Sequence, residues 1–171
     1  TAQAVRLAQV AVKINPFNTS AVIALAERQA TNNQYDQSYQ VYQQLRSLHP
    51  IGAYTIQTSI LGYLNLWQKT NDEKYRQAVR DSIPLVLKYF GNHGSTYYNV
   101  ANFYFTMGEY DQALKQAKTS LVLTNGNSEV FMLESRIYDK LNMMDKKQQA
   151  IKSAFKAAPS KELRELKDKN E

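Results

Sequence analysis

The sequence predicts an all-α chain, built as a right-handed stack of antiparallel helix pairs, because three observations agree. Apolar residues of the 171-residue chain recur at helical spacing, as at Tyr97, Val100, Ala101 and Tyr104. Dense turn signals, such as the Thr-Asn-Gly-Asn run over 124–127, separate these stretches. Their pattern also returns with a period of about 34 residues, which is the signature of repeated helix-turn-helix units.

The first elements are a single helix and one complete repeat. Residues 1–16 have alanines at helical spacing and end at Asn-Pro, which is typical of the second helix of a pair. Residues 19–52 follow as repeat 1, closed by Pro50, which lies one repeat length after Pro16. Since 1–16 lacks a preceding first helix, we expect it to be helix B of a truncated unit in a longer protein.

Repeat 2, residues 53–92, is irregular. The interval from Pro50 to Asn125 is longer than two such repeats by about seven residues. We expect this insertion in and just after the first helix, between Ala53 and Lys69. Pro84 falls inside the second helix, where it removes a backbone donor, so a kink near Arg80 is expected.

The last elements are regular again. Residues 94–127 form repeat 3, with Gly108 between its helices, and 128–159 form repeat 4, closed by Pro159. Residues 160–171 are expected to form a capping helix that covers the end of the stack. The whole chain, 1–171, is therefore interpreted as a single domain.

The repeats resemble the tetratricopeptide repeat (TPR), a unit of about 34 residues with an aromatic, a leucine, a small residue, a tyrosine, a turn glycine and an alanine at fixed positions. Repeat 3 matches best, although Asn125 stands where a closing proline is usual. The matching residues are Tyr97, Val100, Ala101, Tyr104, Gly108, Tyr110 and Ala113. The resemblance implies a TPR solenoid with a concave groove lined by the first helices of the pairs.

Composition excludes several functional classes. The chain has no Cys and only two His, so cysteine-based catalysis, disulfides and zinc knuckles cannot occur. His49 and His93 lie at a helix end and in a loop, as structural histidines often do. No phosphate-binding loop or nucleophile elbow is present. We therefore expect no catalytic, cofactor-binding or metal-binding residues in this chain and predict that it is not an enzyme.

Nucleic acid and membrane are also disfavoured as direct partners. The formal net charge is +6, but the basic residues are scattered instead of forming a stripe. Equivalent first-helix positions hold Ile23, Tyr98 and Met132, which share no polar code for bases. The apolar runs fall far short of the ~20 residues of a membrane helix.

A protein or peptide is the expected partner. The chaperone-binding TPR carboxylate clamp uses Lys, Asn and Arg at set positions, of which only Asn102 is present. The predicted concave side instead combines aromatic, Asn, Met and Arg side chains, which suit a bound peptide or helix. The candidate groove residues are Tyr98, Asn99, Asn102, Phe105, Met132 and Arg136, with Tyr63 and Trp67 from repeat 2.

Two functional interpretations follow. The first is a non-enzymatic scaffold that holds a partner segment in its groove, with an oligomeric state that the sequence leaves open. The alternative is a periplasmic tail of a membrane-embedded glycan ligase or polymerase, or of an envelope assembly protein, that recruits substrate or partner. It draws on a resemblance to the repeat tails of bacterial O-antigen ligases and protein O-oligosaccharyltransferases. The compartment is open, with the periplasm slightly favoured.

Overall fold

The computed structural model describes residues 1–157, and within this range every regular element is an α-helix. The all-α prediction is thereby confirmed for that part of the chain. The chain divides into two compact units, Thr1–Tyr89 and Phe90–Glu171, called here the N-terminal unit and the C-terminal unit. Pro159 and the capping helix expected over 160–171 lie outside the described residues.

Each unit is built from helices joined by short turns. In the N-terminal unit they are α1 (Ala2–Ile14), α2 (Thr19–Thr31), α3 (Tyr35–Leu48), α4 (Ala53–Thr70) and α5 (Glu73–Phe90). In the C-terminal unit they are α6 (Gly94–Thr106), α7 (Tyr110–Thr124), α8 (Ser128–Lys140) and α9 (Met144–Ala157). Within the described residues, the pairs α2–α3, α6–α7 and α8–α9 pack most extensively, which is the arrangement expected of helix-turn-helix repeats.

Each turn between the two helices of a pair contains one residue with left-handed backbone geometry. These residues are Asn33, Asn71, Gly108 and Asn142, with φ of 61°, 55°, 76° and 57°. Gly and Asn are the residues that adopt this region most readily. The turns therefore mark the register of the repeats directly.

The spacing of these turn residues corrects the expected position of the insertion. Gly108 and Asn142 are one repeat length apart, whereas the intervals from Asn33 to Asn71 and from Asn71 to Gly108 are both longer than that. Both α4 and α5 have 18 residues, compared with 13 to 15 for the other helices. The extra length is thus shared by the two helices of repeat 2. The α5 helix runs through Pro84 without a break, and the expected kink stays a prediction.

Small side chains form the contact between the paired helices of the C-terminal unit. Ala101 on α6 and Ala113 and Ala117 on α7 are completely buried and share one apolar cluster with Leu133 and Ile137 of α8. Without bulky groups between them, α6 and α7 can approach closely. The buried Ser120 hydroxyl also donates to the Gly94 carbonyl at 2.8 Å, linking the far ends of the same two helices.

In the N-terminal unit, α5 is attached to α3 by polar contacts. The Lys74 ammonium lies 2.6 Å from Asp36 Oδ1, and the Tyr75 hydroxyl donates to the same oxygen at 2.9 Å. The hydrogen bond from Lys74 lowers the pKa of Asp36, and the Tyr75 hydroxyl acts in the same direction. Arg46 Nη1 of α3 donates to Ser82 Oγ of α5 at 2.8 Å. These contacts fix the position of α5 relative to α3.

Candidate functional site

The structure places the six groove residues predicted from repeats 3 and 4 on α6 and α8 of the C-terminal unit. They are called here the α6–α8 face, and they comprise Tyr98, Asn99, Asn102, Phe105, Met132 and Arg136. The first five are half-buried and Arg136 is exposed. A ligand can therefore reach these side chains, although most of them also contact the protein itself.

Phe105 and Arg136 connect the two helices of this face. The Arg136 guanidinium carbon lies 5.5 Å from the centre of the Phe105 ring, in a cation–π contact. The same ring contacts Tyr110 with centres 5.7 Å apart. Both Phe105 and Tyr98 pack against the buried cluster. Their rings are therefore held in place and need little ordering when a ligand binds.

The two asparagines of the face differ in which of their hydrogen-bonding groups remain available to a ligand. Asn102 Nδ2 donates to the Tyr98 carbonyl at 2.9 Å, one turn earlier in the same helix. This bond occupies one donor of Asn102 and orients its carbonyl oxygen. The Asn99 amide makes no hydrogen bond with the described residues. An amide offers donors and an acceptor together, so Asn99 can pair with an extended peptide backbone.

The structure corrects the expectation for Tyr63. Only 1% of Tyr63 is exposed, and its ring contacts those of Tyr39 and Tyr42 at 5.2 and 6.0 Å between centres. Burial raises the pKa of Tyr63 to about 12, while the charge of Arg46 acts in the opposite direction. Tyr63 is therefore a core residue of the N-terminal unit and does not belong to an exposed groove.

Trp67, the second candidate from repeat 2, is half-buried with the Arg76 guanidinium 5.3 Å from its ring centre. The large exposed residues of α4 are instead Tyr54 and Leu61, which are 66% and 53% exposed. They lie two helical turns apart and so share one face of the helix. Sequence reasoning missed them because it placed α4 in another register.

Gly62 is the sequence signal that fixes this register. A Cβ atom at Gly62 would overlap the ring of Tyr42, which is 4% exposed. The glycine must therefore face α3, and Leu61, its chain neighbour, is exposed. A lone glycine in an otherwise apolar helix often marks such a close approach.

The histidines take structural positions. His49 Nε2 lies 3.2 Å from Thr19 Oγ1, a contact between the end of α3 and the start of α2. His93 is exposed at the N-terminal cap of α6. Among residues 1–157, no group of three or more His, Cys, Asp or Glu side chains could hold a metal ion. In the same range, no helix has the length and apolarity needed to cross a membrane.

Comparison with solved structures supports the fold. The crystal structure of TTC0263, a thermophilic TPR protein of Thermus thermophilus, superposes with a TM-score of 0.66 and 19% identity, covering 94% of this chain and 84% of that one. A crystal structure of MamA gives a TM-score of 0.62 at 18% identity, covering 90% and 80% of the two chains. The MamA RS-1 double mutant gives 0.64 at 10% identity, covering 97% and 86%.

No family model matches the chain, and no curated protein matches it. At the identities found, likeness to solved structures shows the fold alone. The predicted TPR solenoid fold is thereby confirmed.

Proposed function

We propose that the chain is a non-enzymatic protein-interaction scaffold whose α6–α8 face holds a segment of a partner protein. The observation that carries this proposal is the cation–π contact of Arg136 with Phe105, 5.5 Å apart on neighbouring first helices. It places a charged group, an aromatic ring and the half-buried Met132 on one accessible surface. Aromatic, Met and Arg side chains are the residue types enriched in protein interfaces.

The chemistry of the face suits a peptide or a helix of a partner. Phe105 and Tyr98 provide fixed apolar surfaces, and Met132 can adapt to the shape of an incoming side chain. The Asn99 amide offers a donor and an acceptor to the backbone groups of an extended peptide. It can therefore bind such a peptide without requiring one particular sequence. The face has Arg136 as its one cation among the six residues, which favours protein over nucleic acid as the partner.

TPR architecture supports this assignment because stacked helix pairs present extended surfaces for binding. In the envelope-protein alternative, the scaffold would serve a membrane-embedded glycan ligase or polymerase. The similar structures named above give that alternative no support.

Site-specific photo-crosslinking tests the proposal. A photoreactive amino acid replaces Asn99 on the face or, as the matched control, Gln112, which is exposed on α7. The chain is then expressed in its source cells and irradiated. We expect a discrete protein adduct from position 99 that is absent from position 112. The same adducts from both positions, or none from position 99, would contradict binding at this face.

A pair of charge variants then tests the role of the cation. Arg136→Gln removes the cation above Phe105, whereas Lys115→Gln removes an exposed cation from α7. We expect the first variant to reduce adduct formation at position 99 by about fivefold, as loss of an interface anchor does. Equal yields from both variants at unchanged helical content would show that Arg136 is not an anchor.

A further inference from the structure

A separate cavity of about 450 Å³ lies within the N-terminal unit. It opens between α3 and α5, the second helices of two successive pairs, and α4 contributes to its lining. Its walls combine Tyr39 and Arg46 of α3, Tyr63 of α4, and Asp81 and Leu85 of α5. This volume is in the usual range of small-ligand sites. The cavity shares no residue with the α6–α8 face.

Arg46 is the main electrostatic feature of this cavity. Its guanidinium Nη1 donates to Ser82 Oγ at 2.8 Å, and Ser82 Oγ donates in turn to the Ala78 carbonyl at 2.6 Å. This chain of hydrogen bonds positions the guanidinium on the wall of the cavity. Arg46 is half-buried, and none of the ion pairs within residues 1–157 involves it. A partly desolvated cation without a counter-ion favours the binding of an anion.

Asp81, the carboxylate in the cavity lining, does not act as a counter-ion for Arg46. Asp81 is exposed at the cavity wall, and its Oδ1 accepts a hydrogen bond from Gln77 Nε2 at 2.8 Å. It forms no ion pair with Arg46. Asp81 also adds a negative charge near the opening, so a doubly charged anion is repelled more strongly than a singly charged one.

The rest of the lining combines aromatic and apolar side chains with the exposed Gln43 and Ser47. The Tyr39 and Tyr63 rings contact each other with centres 5.2 Å apart, and Leu85 is half-buried on the α5 side. Tyr63 is almost completely buried, and its hydroxyl is already hydrogen-bonded to the Arg46 side chain. The Tyr39 ring and Leu85 offer apolar surface in the same lining, which can accommodate an apolar group of the ligand.

We propose that this cavity binds a peptide carboxylate with an adjacent apolar side chain, and that Arg46 is the residue that recognises the carboxylate. The guanidinium fork matches the two oxygens of a carboxylate. A single guanidinium opposed by Asp81 favours a monoanion over a phosphate dianion. The formal net charge of +6 adds a general attraction for acidic partners. The carboxylate can belong to an acidic side chain or to a chain terminus.

Three short peptides separate these possibilities on the unmodified chain. Acetyl-Gly-Gly-Phe carries a terminal carboxylate, acetyl-Gly-Glu-Phe amide carries a side-chain carboxylate, and acetyl-Gly-Gly-Phe amide carries neither. Each is titrated while backbone amide resonances of α3 and α5 are followed by NMR. We expect at least one carboxylate peptide to shift resonances around Arg46, and the neutral amide to bind about tenfold more weakly. The tighter of the two carboxylate peptides identifies the source.

Two variants and one competitor complete the test. Arg46→Gln is expected to abolish the difference between carboxylate and amide peptides. The control Arg28→Gln removes an exposed cation of α2 outside the cavity and should preserve that difference. Equal binding of neutral and charged peptides to the unmodified chain, or equal losses in both variants, overturns the proposal. Tighter binding of inorganic phosphate than of either carboxylate peptide also overturns it, and marks a phosphate site. The peptide comparison needs no variant, so a misfolded Arg46→Gln leaves the test intact.

Discussion

The α4–α5 pair and the α6–α7 pair use side chains of very different size. Between α6 and α7 the buried residues include Ala101, Ala113 and Ala117, and the two backbones approach closely. In the α4–α5 pair the largest buried side chains are Tyr63 and Tyr75, whose rings contact Tyr39 of α3, and the two backbones do not approach in this way. The alanine-lined pair is thus the closely packed one, as expected where small side chains meet.

The spaces between the second helices of successive pairs also differ between the two units. The N-terminal unit has a cavity of about 450 Å³ between α3 and α5, while the corresponding space between α7 and α9 in the C-terminal unit measures about 300 Å³. The charged side chains differ as well: Arg46 and Asp81 line the first cavity, whereas Lys118, Lys146 and the buried Glu134 line the second. The same repeat architecture thus provides two pockets with different sets of charged groups.

Alkaline pH should most strongly affect the buried tyrosines of the N-terminal unit, Tyr42 on α3 and Tyr63 on α4. Burial raises the pKa of Tyr42 and of Tyr63 to about 12, against an ordinary value of 10.0. Folded tyrosines with raised pKa values favour the protonated form, so their contribution to stability is complete below pH 10 and is lost as the pH rises toward 12. We expect a loss of about 2 kcal/mol per tyrosine at pH 12. Urea unfolding monitored by the circular dichroism of the helices between pH 8 and pH 12 would measure it.

The variant Tyr63→Phe sharpens this test because it removes one ionisable hydroxyl and keeps the ring. Its alkaline destabilisation should be smaller than that of the unmodified chain by the contribution of one tyrosine. Tyr54→Phe is the matched control, since Tyr54 is 66% exposed. An identical alkaline profile for Tyr63→Phe and Tyr54→Phe would contradict the assignment of the effect to burial.

Ala101→Leu tests the alanine-rich pair. Ala101 is completely buried in the same cluster as Ala113, and a leucine there must separate α6 from α7. We expect overpacking to lower the free energy of unfolding by about 1–3 kcal/mol. Ala11→Leu is the control, because Ala11 is exposed on α1. Chemical denaturation of both variants provides the measurement, and an unchanged midpoint for Ala101→Leu would show that the helices do not meet there.

The regular part of the fold could be predicted from the sequence because the turn residues of repeats 3 and 4 recur at the repeat length. Gly108 and Asn142 are one repeat length apart, so the helices of repeats 3 and 4 align by counting. The same offset placed residues of α6 and α8 on one face. In the irregular repeat, the position of the extra residues did not follow from such counting.

What could not be predicted depends on contacts between distant residues. The register of α4 is set by Gly62 against Tyr42, a contact across two helices that no local period encodes. Tyr63 was consequently assigned to a groove although it is buried. Arg46 gave no sequence signal either, since its partner Ser82 is distant in the chain and the two meet only through the packing of α3 and α5.

Glu134→Gln should produce the smallest effect, and it tests the burial of a carboxylate in the wall of the second cavity. Glu134 is only 7% exposed, and burial raises its pKa above the ordinary value of 4.5, an effect that Lys118 partly offsets. The folded state then holds this proton more tightly than the unfolded state. The chain therefore loses stability as the pH rises from 4.5 through the raised pKa, and the loss persists at neutral pH. A glutamine keeps the shape and removes the charge, so we expect a gain of about 1 kcal/mol at pH 7.

Below pH 4 the same variant should match the unmodified chain, because Glu134 is then protonated in both states. Thermal unfolding at pH 4 and pH 7 measures the difference. Glu129→Gln is the matched control, since Glu129 is exposed in the first turn of α8, where a carboxylate is favourable. That variant should be unchanged or slightly less stable at pH 7. If both variants shift stability equally, general charge and not the buried position of Glu134 explains the effect.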